Sequence, residues 1–525
     1  MKGIETGTVK NSTLLFLGMG IIAITIFFRI IFYTGFLGSD EVTYTEAAFS
    51  VLHGNWTVSS YAGSNRYGIN LPVAVLMSIF GTSEYSANLW SFLCSVLEVT
   101  VVLVLGTRLL GYKIAFIGAL LLALLPIHVH FAGRLMADSP LALFITLSFL
   151  LFWLGEKHDH LISFLFAGIS AGFVFWVKPI VAILYILVFL TYPLIFRRWN
   201  FRWIWMVAGF ATFVGANMIF FWWAAGDPLF VFRVMFNQSS LDKIVGNEDA
   251  YFYPSYYLVY LFGKIWHTWL LGPLSLFALV LWIWKRFTSH HLTNENIPFL
   301  IWWSLGLMCI FSLFIISWEP LTFIMKQTNY MLIFVAPLSL LAGYGLTILS
   351  NKFLTLMLTI FILPSIVLAG MEQRLIHVHT ANSLTTYAFA QTHNDTNVFV
   401  GTNAKMFALF KRVTGHAAQK NIRSLDELKN GKNDVLELGN YLIFDTQTFT
   451  KEERTIVKEL LDKKSPCLSE EVSTKIKDKP AILNFFSVGI NSTFDLLASK
   501  TESLLQPSPA IIYKVSSLDA CSNYQ

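Results

Sequence analysis

Charge is scarce in this chain: only 13% of its 525 residues are Asp, Glu, Lys or Arg, against roughly 25% in an ordinary soluble protein. Water is therefore not its main solvent. Cysteine is scarce too, and Cys94, Cys309, Cys467 and Cys521 show no Cys-x-x-Cys spacing, so no zinc site is visible. Cys94 and Cys309 lie in apolar runs as inert thiols. Cys467 and Cys521 fall in a polar C-terminal region and can pair if that region faces an oxidising compartment. A basic face is missing as well, because the net charge of +5 is spread over many short loops, which excludes nucleic acid as a partner. Internal repeats and low-complexity tracts are absent, so a solenoid or an inverted-repeat transporter gains no support.

What the chain has in abundance is apolar surface: 55% hydrophobic residues, with 47 Phe and 16 Trp. Runs long enough to span a bilayer, roughly 17 to 25 residues each, fall near 13–36, 87–107, 113–131, 139–155, 161–177, 179–196, 203–225, 267–284, 297–317, 329–350 and 353–370. These predict about eleven transmembrane helices. The first run is too long for a signal-peptide core and has no small-residue cleavage site after it, so it reads as a retained helix. Lys178-Pro179 is the only punctuation between the fifth and sixth runs.

Lys and Arg in short loops stay cytoplasmic. Lys2, Lys10, Arg108, Lys113, Lys157, Arg197, Arg198, Arg202, Lys285, Arg286 and Lys352 share one side when the N-terminus is inside. An odd number of spans then puts the C-terminus outside. Two outer segments, about 38–86 and 226–266, contain apolar stretches at Leu71–Phe80 and Ser255–Phe262. These are too short to span and suit interfacial or re-entrant helices. After Gly370 the composition turns polar, with strand-like Asn397–Val400, Tyr441–Phe444 and Ala510–Tyr513 and a helical Lys451–Lys463. Two domains are expected: an all-α membrane domain over 1–370, and an extracytoplasmic α/β domain over 371–525.

Few residues in this chain are equipped for chemistry. Asp40 and Glu41 open the first outer loop, where a carboxylate at the mouth of a bundle can act as general base; the plainer reading is a helix cap, with Ser39 or Asp40 as N-cap. The next outer turn holds Arg134 and Asp138. A guanidinium at the rim suits a phosphate, or simply snorkels, and Asp138 can cap the helix that Pro140 begins. Arg29 lies within the first run, where a cation needs a partner or a wet cavity. His128 and His130, two apart, fall on different helical faces and read as bland.

An acidic pair after helix one, an Arg and Asp turn between helices three and four, and Lys178 after the Gly-rich Ala167–Gly172 together form a recognisable order. The chain resembles, over about 350 residues, the C-type-fold (GT-C) glycosyltransferases that use polyprenyl-phosphate sugars, the superfamily of the protein O-mannosyltransferases and lipid A aminoarabinose transferases. The resemblance implies Asp40 as catalytic base with Glu41 beside it, and Asp138 shaping the same cavity. It makes Arg66, Arg134, Lys178 and Lys326 candidate contacts to the lipid phosphate. The chain departs from the family at Asn65–Pro72 and at Asn329-Tyr330, where members often carry Arg-Tyr.

The expected activity is transfer of a monosaccharide from a polyprenyl or dolichyl phosphate to an extracytoplasmic protein, lipid or glycan. A single displacement with one carboxylate inverts the anomeric centre. No residue pattern indicates a cofactor or metal, and a divalent cation stays open. The alternatives are a transporter or flippase for lipid-linked glycans, which should place ionisable residues near the midplane of several helices, and a structural subunit whose acidic pair only caps a helix.

Overall fold

A backbone in hydrocarbon must satisfy its own N–H and C=O groups within the segment, and each of the eleven apolar runs is largely helical, the run over 113–131 as two helices broken before Pro126. The computed structural model describes residues 11–56, 58–245, 253–263, 266–288, 296–319, 321–416, 419–429, 438–445, 448–464, 468–473 and 510–516; Cys467 and Cys521 lie outside them.

In chain order the helices are α1 (Asn11–Ile31), α2 (Asp40–Leu52), α3 (Tyr67–Phe80), α4 (Glu84–Leu110), α5 (Tyr112–Leu124), α6 (Pro126–Ala132), α7 (Asp138–His158) and α8 (Leu161–Val177). They continue with α9 (Pro179–Phe196), α10 (Trp203–Ala225), α11 (Phe230–Val245), α12 (Tyr256–Phe262), α13 (Leu271–Thr288) and α14 (Ile297–Leu313). A short hairpin, β1 (Ile315–Trp318) and β2 (Leu321–Phe323), precedes α15 (Leu332–Thr347) and α16 (Asn351–Thr392). The C-terminal part follows as β3 (Val398–Val400), α17 (Thr402–Val413), β4 (Ile422–Ser424), α18 (Asp426–Lys429), β5 (Tyr441–Phe444), α19 (Lys451–Lys464), β6 (Leu468–Ser473) and β7 (Ile511–Val515).

Seven described helices, or eight if the bent pair α5 and α6 is one span, are long and apolar enough to cross a membrane on their own. That is fewer than the eleven expected. The shortfall lies partly in α8 and α14, which are 17 residues long, and in α13, whose last turn carries Lys285 and Arg286. Pro126 and Pro179 each stand at the first position of a helix, where a missing N–H costs nothing and the preceding chain must turn away. The break at Pro126 bends α5 against α6 by 61°. No such break occurs at Gly370: α16 runs on to Thr392, 42 residues in all, or about 63 Å at helical rise, twice the hydrocarbon thickness.

The chain divides into two compact units. The first comprises Met1–Tyr33, Ser50–Leu76 and Asn88–Gly370. Its centre is α15, every residue of which from Leu332 to Leu346 is buried, packed on α5, α7, α13 and α14. Gly168 and Gly209 let α8 and α10 meet backbone to backbone, since a Cβ on either would collide with the facing carbonyl. Arg29 does find its partners here. It donates to Ser95 Oγ (3.1 Å) and to the Ala123 carbonyl near the Pro126 break, and it meets His128 Nδ1 at 2.6 Å. His128 Nε2 lies 3.0 Å from Glu98 Oε2, and Thr146 donates to Glu98 Oε1 at 2.9 Å. His128 is therefore the bridge of a buried ionic cluster joining α1, α4, α6 and α7.

The second unit comprises Thr34–Phe49, Met77–Ala87 and Met371–Gln525. Its sheet has the order β4-β3-β5-β7-β6, with β3 parallel to both β4 and β5, and β7 antiparallel to β5 and β6. Strand side chains alternate between faces. Val398, Val400, Tyr441, Ile443 and Ile512 pack with Tyr387, Ala404 and Ala408 from α16 and α17, while Phe399 and Leu442 pack with Phe449 and Val457 near α19. Buried Glu453 caps two helices at once. Thr450-x-x-Glu453 forms a capping box, with Thr450 N donating to Oε2 at 2.7 Å and Glu453 N to Thr450 Oγ1 at 3.2 Å. Its other oxygen accepts from Thr402 N (2.6 Å) and Oγ1 (2.8 Å) at the start of α17.

Burial pushes the Glu453 carboxyl up, and the bonds from Thr402 and Thr450 outweigh it, so its pKa lies below the ordinary 4.5. The unfolded chain thus takes up the proton first as pH falls, and the contribution is complete above the ordinary carboxylate range and lost as pH falls through the depressed value. Glu453→Ala should cost this unit about 1–3 kcal/mol near neutral pH. Hydrogen exchange of Val398–Val413 should show it, with the difference between variant and parent vanishing in acid.

Candidate active site

Two of the site residues predicted in the first unit, Asp138 and Lys178, meet the segment that leads into α15. Asp138 opens α7, and the residue in the cap position is Ala137, which makes no side-chain cap. The Asp138 carboxylate instead accepts from Asn329 Nδ2 at 2.9 Å. Next in sequence, Tyr330 presents its ring to the Lys178 ammonium, 4.2 Å from Nζ, a cation–π contact. Thr328 Oγ1 is 2.9 Å from the Tyr256 hydroxyl at the start of α12. Consecutive residues 328, 329 and 330 thus tie α12, α7 and the α8–α9 junction together.

Lys178 owes its position to Pro179. It ends α8 and starts α9 in an extended conformation, φ −158° and ψ 94°, the region favoured for a residue before proline. Lys326 lies on the same approach to α15. It is fully buried, donates to the Ile324 carbonyl at 2.9 Å and stands 5.3 Å from the Phe323 ring. Burial lowers its pKa to about 8.

Arg134 is buried on the turn between α6 and α7, with NH1 3.4 Å from His130 Nε2 and its guanidinium 5.7 Å from the Phe131 ring. The turn is pinned by Asn88 Nδ2, which donates to the Gly133 carbonyl at 3.2 Å, and by Ser139 Oγ, which donates to the Phe131 carbonyl at 3.1 Å. Arg66 immediately precedes α3, its carbonyl accepting from Ile69 N and Asn70 N at 2.8 and 3.0 Å. Gly68 lets this turn lie against Trp176 and Val177, directly before Lys178; a Cβ there would come within 2.9 Å of the Val177 nitrogen.

Asp40 and Glu41 belong to the second unit. Both sit in the first turn of α2, where negative charge faces the positive end of the helix dipole. Glu41 is fully buried and accepts from Ser39 N at 3.0 Å. Asp40 is half-buried; its backbone N–H donates to Ser39 Oγ at 2.6 Å and its Oδ2 accepts from the Tyr44 hydroxyl at 3.3 Å. The segment is clamped on α17. Phe36 stacks on Phe410 with ring centres 3.6 Å apart, Arg412 pairs with Glu46 at 3.0 Å, and Gly38, at φ +89°, passes so close to α17 that a Cβ would lie 2.9 Å from the Asn403 carbonyl.

Sequence reasoning missed Asn329, Tyr330 and Tyr256 as partners. In the sequence, Asn329-Tyr330 stands out only as a departure from the family pattern. Among the described residues no three His, Cys, Asp or Glu side chains come together as a metal ligand set.

Residues 69–223 match the family model of the dolichyl-phosphate-mannose-protein mannosyltransferases. No curated protein sequence matches the chain. Among solved structures, ArnT from Cupriavidus metallidurans bound to undecaprenyl phosphate is 14% identical with a TM-score of 0.57, covering 97% of this chain and 99% of that one. The same protein in the apo state is 16% identical with a TM-score of 0.54, covering 87% and 96%. The apo oligosaccharyltransferase of Archaeoglobus fulgidus is 11% identical with a TM-score of 0.55, covering 96% and 89%. This chain has the GT-C fold. With the family match supplying the chemistry and the structures the fold, it is a membrane glycosyltransferase of the GT-C type.

In this GT-C chain Gly38 offers a test of how the acidic pair is held. Gly38→Ala and Gly54→Ala both force a side chain into positive φ, +89° and +79°, but a Cβ at Gly54 meets nothing within 4 Å. Each should cost about 1–2 kcal/mol from backbone alone. Only Gly38→Ala should cost more, and only it should expose the Ser39–Phe49 amides to hydrogen exchange.

Proposed function

We propose that this enzyme moves a monosaccharide from a polyprenyl- or dolichyl-phosphate donor to a protein, lipid or glycan acceptor outside the cytoplasm, in one inverting displacement with Asp40 as base. The observation that carries the reading is the convergence of Lys178 and Asp138 on the adjacent residues Tyr330 and Asn329, with buried Lys326 on the same segment. Cations fixed in a dry site stabilise charge developing on a leaving phosphate without reorganising. The structure of ArnT with undecaprenyl phosphate supports a lipid-phosphate donor.

In the proposed step the acceptor O–H or N–H gives its proton to the Asp40 carboxylate, and the freed electron pair forms a bond to the anomeric carbon. The bond from that carbon to the phosphate oxygen breaks, and its electron pair leaves with the polyprenyl phosphate. Lys178, Lys326, Arg134 and Arg66 receive the phosphate; Asp138 orders the cavity through Asn329. Asp40 is preferred to Glu41 because Glu41 is buried and engaged by Ser39 N, whereas Asp40 retains partial exposure. The distribution of Lys and Arg among the loops supports an N-terminus in the cytoplasm and a C-terminal unit outside it.

A second reading is favoured by one observation. The buried Arg29, Glu98 and His128 cluster is the kind of intramembrane ionisable group a transporter or flippase of lipid-linked glycans uses. Its members satisfy one another, which suits a structural role better.

Transfer from a panel of labelled lipid-phosphate sugars by purified enzyme tests the proposal. Wild type should use at least one donor, NMR of the product should show an inverted anomeric linkage, and Asp40→Asn should lose about 10²–10⁴-fold in rate. Flipping without transfer by folded wild type, or full activity in Asp40→Asn, refutes it.

Donor affinity should also follow the Lys326 ammonium. With its pKa at about 8, the charge is present below that pH and lost above it, so the donor KM should rise as pH passes through about 8. Lys326→Arg should remove that rise, and Lys326→Gln should raise KM at every pH.

A further inference from the structure

We infer that the crevice bordered by α9, α13 and α14 is a binding site for one anionic phospholipid, taken from the bilayer leaflet at the Arg286 end. The inference is independent of the proposed transfer reaction. Although α13 and α14 follow one another in the chain, each packs on α15 rather than closing on its neighbour. The gap on the α9 side is a groove of about 660 Å³, with Phe196, Trp282, Ile301, Leu305 and Ile310 among its walls and Arg286 at its mouth.

Three observations point to a lipid of that charge. The first is depth. Along α14 the groove extends from Pro298 to Ile310, about 18 Å at helical rise, close to half of the roughly 30 Å hydrocarbon core and so to one leaflet.

The second is wall chemistry. The wall is mostly apolar: Trp302 Nε1 is engaged, donating to Thr191 Oγ1 at 2.9 Å, and the Trp282 indole N–H is the buried donor left in it, so the channel suits an acyl chain. A further apolar recess on the other side of α14 shares Ile301 and Leu305 with this groove and is lined by Leu276, Leu279 and Leu338, room for a second chain beside the first.

The third is the rim. Arg286 is exposed and stands 5.6 Å from the Trp282 ring, and no carboxylate pairs with it among the described residues. Lys285 precedes it, and Arg197 and Arg198 follow Phe196 at the end of α9. Of the acidic groups at the end of α7, Glu156 is occupied by the Tyr192 hydroxyl (3.1 Å) and Trp203 Nε1 (2.6 Å), and Asp159 pairs with Arg202. A headgroup phosphate at Arg286 gains roughly what a basic residue gains at an anionic leaflet.

The test is native mass spectrometry of the full-length protein in detergent with dioleoylphosphatidylglycerol or dioleoylphosphatidylcholine added. One phosphatidylglycerol should be retained, in preference to phosphatidylcholine. Arg286→Gln, at an exposed position that leaves the fold intact, should cut the preference about fivefold, and Leu305→Trp, which fills the groove, should abolish retention of both. Equal retention of the two lipids, or a preference unchanged in Arg286→Gln, overturns the inference. So does displacement of the adduct by stoichiometric polyprenyl phosphate, which would make the groove part of the donor site.

Discussion

The candidate donor site hangs on Thr328, Asn329 and Tyr330, which with Met331 lead into the buried helix α15. A helix enclosed by protein along its whole length fixes the chain that enters it, so these side chains have little freedom. Each reaches a different element: Tyr256 on α12, Asp138 at the start of α7, and Lys178 between α8 and α9. The cations and the carboxylate thus rest on helix ends held in place by packing. Preorganisation of this kind is what lets fixed charges act on a leaving phosphate.

A comparable constraint acts on the acidic pair. Asp40 and Glu41 lie on α2, and both α2 and the segment leading into it are held by α17, through the Glu46–Arg412 pair, the Phe36–Phe410 stack and the passage of Gly38 beside Asn403. The C-terminal sheet therefore has a definite role, because it carries the helix that fixes the acidic loop. Glu453 ties the start of α17 to α19, so the stability of this unit bears directly on where Asp40 stands.

Much of this was legible in the sequence. Apolar length located the helices, because hydrocarbon leaves a backbone few choices, and Lys178-Pro179 marked a real break. Strand-like Asn397–Val400, Tyr441–Phe444 and Ala510–Tyr513 coincide, to within a residue at their starts, with β3, β5 and the first part of β7, since a short apolar run rich in β-branched and aromatic residues is local information. What stayed hidden was of two kinds. Long-range pairings such as Arg412 with Glu46, or Asn329 with Asp138, leave no trace in composition or period. Helix continuity was hidden as well: the composition turns polar after Gly370, where the compact units also divide, yet α16 continues to Thr392, because helix formation there does not require an apolar face all round. Glu98 and His128 stayed hidden for the same reason as Asn329, each being unremarkable until its partner is known.

The most direct test of where the donor phosphate binds is photo-crosslinking with a polyprenyl phosphate that carries a diazirine on its first isoprene unit, followed by mass mapping of the labelled peptide. Label on the Lys326–Tyr330 segment or on the peptide containing Lys178, reduced by Lys178→Gln, is the expected result. Label confined to peptides that contain none of Arg66, Arg134, Lys178 and Lys326 would contradict it.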